Sequence, residues 1–89
     1  MVEQEESLIE FPCHFQIKIM GAAADDFEDY IRGLIQPQLK KPESLGTTVR
    51  PSKAGNYLGI TATLYVHDKP ELDGVYQALS ASPRIKMAL

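Results

Sequence analysis

The chain has 89 residues, 44% of them hydrophobic and 24% charged, with 12 acidic and 9 basic side chains and a formal net charge of -3. This length predicts one domain with one two-layer core, which excludes a two-domain enzyme and a deep enclosed active site. The single cysteine excludes an intramolecular disulfide. The acidic N-terminal residues do not match a signal peptide, so we expect a cytoplasmic protein with no membrane span.

The first predicted element is a strand that starts at Cys13 and ends at Gly21, because apolar and polar residues alternate between them. The period then changes, and an amphipathic helix is predicted with Asp25 as its N-cap. The apolar stripe of that helix consists of Phe27, Tyr30, Ile31, Leu34 and Ile35. Pro37 disfavours a longer helix, so we expect it to end near Ile35, with a looser turn beyond.

A short strand over residues 47–50 and a long strand over residues 57–66 form a predicted hairpin. The connection between them, residues 51–56, is rich in turn formers, and Gly55 suits a left-handed backbone conformation, as does Gly21 in the earlier turn. In the long strand Leu58, Ile60, Ala62, Leu64 and Val66 occupy alternate positions, which indicates one buried face.

The second helix is predicted from Asp68 to about Ala81. Asp68 and Glu71 have the spacing of a capping box, and the apolar stripe follows at helical intervals. Pro83 prevents this helix from continuing further. A last strand then alternates, with Ile85 and Met87 expected to face the core.

The order of elements, βαββαβ, predicts an α+β fold of the ferredoxin-like type, a two-layer sandwich. Its four-stranded antiparallel sheet has the order 4-1-3-2 and carries both helices on one face. Residues 13–89 form the domain, and residues 1–12 are expected to be an acidic, flexible segment. We expect fifteen side chains to fill the core, Phe15, Ile17, Ile19, Phe27, Ile31, Leu34, Val49, Leu58, Ile60, Leu64, Leu72, Val75, Leu79, Ile85 and Met87.

The opposite face of the sheet is left open, and we expect it to be polar and mildly basic. It should present Gln16, Lys18, Arg50, Tyr57, Thr61, Thr63, Tyr65, Arg84 and Lys86. RNA-recognition modules share this fold and stack bases on aromatic side chains of the two central strands. Nucleic-acid binding is disfavoured here, because the first strand offers Gln16 and Lys18 instead of an aromatic residue and the net charge is negative.

No catalytic signature is present, and no cofactor or metal site is expected. Cys13 and His14 start the first strand and His67 follows the third, so the strand ends meet. Adjacent strand residues point to opposite faces, however, which separates Cys13 from His14 as ligands. The acidic helix start after Gly21 does not suit a phosphate.

Several short motifs at fixed distances resemble the YbeD-like family of small bacterial proteins of unknown function. They are Glu10-Phe11-Pro12, Phe15, Lys18, Met20-Gly21, Arg50-Pro51-Ser52 and Gly55-Asn56-Tyr57. The resemblance spans nearly the whole chain. It implies a ferredoxin-like fold similar to the ACT regulatory domains that bind amino acids, and a link to lipoate metabolism.

We therefore predict a non-catalytic regulatory or binding domain whose ligand is a small metabolite or a partner protein. The predicted site lies on the hairpin and open face and consists of Lys18, Arg50, Ser52, Lys53, Asn56 and Tyr57, polar groups suited to a carboxylate or an acidic segment. An adaptor or regulator in lipoate metabolism, implied by the resemblance, and single-stranded RNA binding are the alternatives. The expected oligomeric state is a monomer or weak dimer.

Overall fold

The computed structural model describes residues 11–89. Its strands are β1 (Cys13–Ala22), β2 (Gly46–Pro51), β3 (Tyr57–Val66) and β4 (Ile85–Ala88), and its helices are α1 (Phe27–Ile35) and α2 (Lys69–Ser80). Two single turns of 3-10 helix, Gln36–Gln38 and Pro42–Ser44, connect α1 to β2. The sheet order is β2-β3-β1-β4 and every pair is antiparallel. This confirms the predicted ferredoxin-like α+β fold, including the strand order.

The core lies between the two helices and one face of the sheet. β1 and β3 pair over ten residues, from Cys13 opposite Val66 to Ala22 opposite Tyr57. Because side chains alternate along a strand, this register places the apolar residues of both strands on the helix side. The buried side chains are Ile17, Ile19, Phe27, Ile31, Ile35, Leu39, Leu45, Ile60, Ala62, Leu64, Val66, Leu72, Val75 and Leu79. Within residues 11–89, no helix is long and apolar enough to cross a membrane.

The domain boundary predicted after residue 12 falls next to the first strand. β1 starts at Cys13, and Phe11 is partly buried against the core. The prediction of a flexible acidic segment concerns mainly residues 1–10, which lie outside the described part of the chain.

Gly21 lies inside β1, so the predicted end of the strand at this residue is wrong. Its backbone does not have a positive φ, whereas Gly55 does, with φ of 78°. A Cβ atom on Gly21 would clash with the Phe27 ring and would lie 2.6 Å from the Arg84 carbonyl oxygen. Glycine is therefore needed at this position for close packing, and the strand continues through it.

β4 departs from the predicted alternation because its pairing with β1 contains a bulge. Met20 pairs with Met87 and Gly21 with Ile85, so Lys86 has no opposing residue. An extra residue in a strand shifts the alternation, so the side chains that follow it point to the opposite face from the one that the sequence pattern predicts. Ile85 and Ala88 consequently pack against the core, while Met87 faces away from the helices and is 49% exposed. The prediction of a buried Met87 is wrong.

Two further side chains depart from their predicted places. Val49 was expected in the core but is 39% exposed, because β2 is the edge strand. Arg84 was expected on the open face, but its guanidinium lies over the Tyr30 ring on the helix side, 4.4 Å from the ring centre. It also donates hydrogen bonds of 3.2 and 2.9 Å to the Asp26 carboxylate.

The helix starts also differ in part from prediction. Asp26, rather than Asp25, is the N-cap residue of α1, and its carboxylate pairs with Arg84 instead of capping a backbone N–H. In α2 the predicted cap is confirmed, since the Glu71 N–H donates to the Asp68 carboxylate at 3.0 Å. The reciprocal half of the capping box is absent, because the Glu71 carboxylate accepts from the His67 N–H.

Candidate functional site

The open face of the sheet is formed by the strand residues that alternate with the buried ones. The strand registers bring three of them into one row across the sheet, with Met20 opposite Gly59 and Gly59 opposite Arg50. The row beside it contains Lys18, Thr61 and Thr48. The two rows place one cation from β1 and one from β2 on either side of the central strand β3.

A depression of about 490 Å³ occupies this part of the open face. Gly59 is one of its lining residues and has no side chain, so the side chains of Met20 and Arg50, which lie opposite it on the neighbouring strands, extend further from the sheet. Its lining combines polar and apolar residues from all four strands and the ends of two of them, and besides Gly59 it consists of Lys18, Ile19, Met20, Thr48, Arg50, Pro51, Ser52, Tyr57, Ile60, Thr61, Met87 and Leu89.

Four of the six predicted site residues line this depression: Lys18, Arg50, Ser52 and Tyr57. The Ser52 N–H donates to the Tyr57 carbonyl at 2.9 Å, and the Ser52 hydroxyl accepts from the Tyr57 N–H at 3.2 Å. These two bonds close the hairpin, so Ser52 has a structural role in addition to its place in the lining.

The other two predicted residues, Lys53 and Asn56, lie outside the depression. Both are exposed in the turn between β2 and β3. The backbone carbonyl of Asn56 accepts from the Ala23 N–H at 3.0 Å and so ties the turn to the chain that follows β1. The turn therefore shapes the hairpin without bringing these two side chains to the other four.

The two cations of the depression are among those in residues 11–89 that form no ion pair with a described carboxylate. Lys40, Lys69 and Arg84 each pair with a carboxylate, at 2.7, 3.2 and 2.9 Å. Within this part of the chain no carboxylate pairs with Lys18 or Arg50. Lys18 and Arg50 are exposed, and no acidic side chain within residues 11–89 neutralises them. Their charges therefore favour the binding of an anion at this part of the open face.

The sequence prediction missed the apolar part of the lining apart from Tyr57. Met20, Met87 and Tyr57 are 40%, 49% and 43% exposed, and Leu89 is 70% exposed. Met87 reaches this surface only because of the bulge in β4, and period-two alternation gives no signal of it. Methionine side chains are flexible and polarizable, and they adapt to ligands of different shapes.

The other end of the open face carries an aromatic row. The Tyr65 ring lies 4.9 Å from the His14 ring and 5.1 Å from the His67 ring. Cys13 packs against the core, on the face opposite to His14, because adjacent residues of a strand point to opposite faces. Across residues 11–89, no three or more His, Cys, Asp or Glu side chains are placed to hold a metal ion.

The fold is shared with a solved structure, the solution structure of protein HP0495 from H. pylori. The TM-score is 0.67 over 91% of this chain and 85% of that one, at 14% sequence identity. At this identity the similarity concerns the fold alone.

Sequence comparison identifies the family. Residues 6–89 match the family described as "Protein of unknown function (DUF493)", and the chain belongs to it. The UPF0250 protein of Neisseria gonorrhoeae is 38% identical, with all of both chains covered. UPF0250 protein RSc0326 of Ralstonia nicotianae is 42% identical over 94% of this chain and 87% of its own. The resemblance to the YbeD-like family is thereby confirmed.

Proposed function

We propose that this protein is a non-catalytic, cytoplasmic binding domain whose open-face depression binds a ligand with an anionic group beside an apolar part. The observation that supports the proposal is that two cations and two exposed methionines line the same depression. A small carboxylate metabolite and an acidic segment of a protein share this chemistry. Binding sites of this kind combine an apolar lining with a few polar groups that fix orientation.

The geometry suits one anionic group held between the two cations. Lys18 and Arg50 lie on strands separated by β3, and neighbouring strands are about 4.8 Å apart, so the two side chains rise on opposite sides of Gly59. Both side chains are long enough to lean over the glycine. An arginine can bind a carboxylate with two parallel hydrogen bonds, and a lysine adds a point charge.

The lining favours binding over catalysis. Its ionisable side chains are Lys18, Arg50 and Tyr57, and all three are exposed. General acid–base catalysis usually employs a carboxyl or imidazole group whose pKa is tuned by burial or neighbours. The imidazoles of His14 and His67 lie at the other end of the open face, next to Tyr65.

Nuclear magnetic resonance with the full chain tests this proposal. Amide shifts are followed while the protein is titrated separately with glutamate, octanoate, lipoate and a uridine oligonucleotide. We expect a saturable response of the Lys18, Arg50 and Tyr57 amides to at least one carboxylate. A response to octanoate or lipoate would also support the alternative role in lipoate metabolism. A response to the oligonucleotide alone, centred on Tyr65, would replace our proposal with RNA binding.

Two variants sharpen the test. Arg50→Ala should weaken carboxylate binding about tenfold or more, because a charge-assisted hydrogen bond contributes about 1.5–3 kcal/mol. Lys53→Ala is the matched control, since it removes the same charge from the exposed turn outside the depression, and we expect less than a twofold change. Equal losses for the two variants would show that only net charge matters and would contradict the proposed site.

Filling the depression is an independent variant that leaves every charge in place. A Cβ on Gly59 would be 3.5 Å from the Arg50 carbonyl oxygen, which is ordinary contact, and β-branched residues suit strands. We expect Gly59→Val to fold and to lose the ligand response. Unchanged affinity in this folded variant would place the ligand elsewhere.

A further inference from the structure

The outer edge of β2 presents backbone groups that no strand within residues 11–89 pairs with. β2 is the first strand in the order β2-β3-β1-β4, so β3 is its one partner in this part of the chain. The Ser52 N–H donates to the Tyr57 carbonyl, which fixes the alternation: even-numbered residues of β2 bond to β3. The N–H and C=O groups of Thr47 and Val49 therefore point outward, away from the sheet.

The edge has a defined end and a fixed shape. Pro51 is the next residue that points outward, and it has no N–H to donate, so a paired strand would end there. At the other end the Thr47 hydroxyl donates to the Glu28 carboxylate at 2.6 Å and accepts from Arg32 at 3.0 Å. These bonds hold the edge against α1 before any partner arrives, which lowers the ordering cost of binding.

The side chains of the edge differ between its two faces. On the helix side Val49 is 39% exposed and offers apolar contact. On the open face Thr48 and Arg50 are exposed, and within residues 11–89 no carboxylate pairs with Arg50. An added strand that alternates apolar and acidic residues would match both faces, because cross-strand apolar contacts and opposite charges are favourable.

An extended segment of a partner suits this edge better than a second copy of this chain. Pairing two β2 edges would bring two Arg50 side chains onto one sheet face, and like charges there are unfavourable. The other sheet edge is less suitable, since β4 has four residues and a bulge. We propose that β2 accepts an added strand from a protein segment with apolar residues facing α1 and an acidic residue facing Arg50. This inference does not depend on a ligand in the depression, since the backbone of β2 carries it.

The probe for this proposal is the peptide acetyl-SVEVEVS-amide, with acetyl-SVKVKVS-amide as its charge-reversed counterpart. In the free protein the outward-pointing Thr47 and Val49 amides should exchange with solvent rapidly, unlike those of Thr48 and Arg50. We expect the glutamate peptide to shift the Thr47 and Val49 amides and to slow their exchange, with at least tenfold tighter binding than the lysine peptide. Arg50→Ala should reduce that preference to less than threefold.

Val49→Pro removes the central outward N–H while leaving the hydrogen bonds between β2 and β3 intact, and proline is tolerated in edge strands. We expect it to weaken peptide binding at least tenfold, whereas Val49→Thr, which keeps the N–H, should change it less than threefold. If Val49→Pro does not fold, the exchange protection of wild-type Thr47 and Val49 decides the question.

Three results would overturn the proposal. The first is a peptide response confined to the depression, without protection of Thr47 and Val49, which would leave the proposed function standing. The second is equal binding of both peptides. The third is protection of the Val49 amide that grows with protein concentration and not with peptide, which would assign the edge to a second copy. Conversely, the glutamate peptide could protect the Thr47 and Val49 amides while no carboxylate shifts the amides of the depression. That result would support this inference and contradict the proposed function.

Discussion

Replacing Gly21 with alanine should destabilise the fold by about 3 kcal/mol, near the upper end of the cost of overpacking a core. The added methyl group would meet the buried Phe27 ring and the Arg84 carbonyl oxygen. The ring is completely buried and the carbonyl belongs to the backbone, so neither moves cheaply. The loss is measured by urea denaturation of the wild type and of Gly21→Ala. The two midpoints are compared with one common slope of the unfolding free energy against urea concentration.

Gly33→Ala is the matched control for this prediction. Gly33 lies in α1, and a Cβ there would meet no atom within 4 Å. Alanine favours a helix interior over glycine by about 0.5–1 kcal/mol, so we expect a gain in stability. If Gly21→Ala behaves like Gly33→Ala, the close contact between β1 and α1 is not the reason for glycine at position 21.

Glu71→Ala should cost about 2–3 kcal/mol, because the Glu71 carboxylate joins three separate parts of the chain. Its side chain is 1% exposed. It accepts the Lys40 N–H and the His67 N–H, each at 2.7 Å, and lies 3.0 Å from His67 Nδ1. Removing the carboxylate leaves partly buried donors without a partner, which costs more than the bonds contribute. Denaturation by urea at pH 7 measures the loss.

The control for Glu71→Ala is Asp73→Ala, two residues along the same helix. Asp73 pairs with Lys69 in an exposed ion pair at 3.2 Å, and such pairs contribute little. We expect a change within about 0.5 kcal/mol. Equal losses for the two variants would mean that the bonds from Lys40 and His67 do not stabilise the fold.

Glu71 also makes the stability depend on acid pH. Burial raises the pKa of Glu71, but hydrogen bonds from the His67 and Lys40 backbones and the His67 ring outweigh it and hold the pKa below its ordinary value of 4.5. A carboxyl whose pKa is lower in the folded protein stabilises it above the unfolded pKa and loses this effect as the pH falls through the folded pKa.

The stability of the wild type should therefore fall as the pH drops below about 4.5. Asp26 and Asp68 also have lowered pKa values, through hydrogen bonds from Arg84 and Lys40, and act in the same direction. Glu71→Gln isolates one contribution, since its stability should fall less steeply over this range. Parallel curves for the two proteins would contradict the role assigned to the Glu71 charge.

Local patterns predicted most of the fold because each element has a clear period. The alternation in β3 and the apolar stripe of α1 identified both buried faces, and Asp68 identified the start of α2. The errors occur where contacts distant in sequence decide the outcome. Gly21 continues its strand because it pairs with Leu58 in β3 and Ile85 in β4, and nothing local to Gly21 encodes those pairings.

The candidate site was predictable in its charges and not in its apolar part. Lys18 and Arg50 face the open side because they alternate with core residues, which the sequence displays directly. Met87 lies beside them because of the bulge at Lys86. A bulge depends on how β4 meets β1, so the alternation within β4 alone indicates a buried methionine.

The bulge gives the pairing of one residue a direct influence on the chemistry of the open face. Lys86 has no partner in β1, so Ile85 and Ala88 both pack against the core while Met87 lies opposite Met20. If Lys86 instead took the place opposite Met20, regular alternation would turn Met87 toward the helices and Ala88 toward the depression. The same sequence would then exchange an exposed methionine for a methyl group on this surface. The apolar character of the open face therefore depends on the register of β4 as well as on its composition.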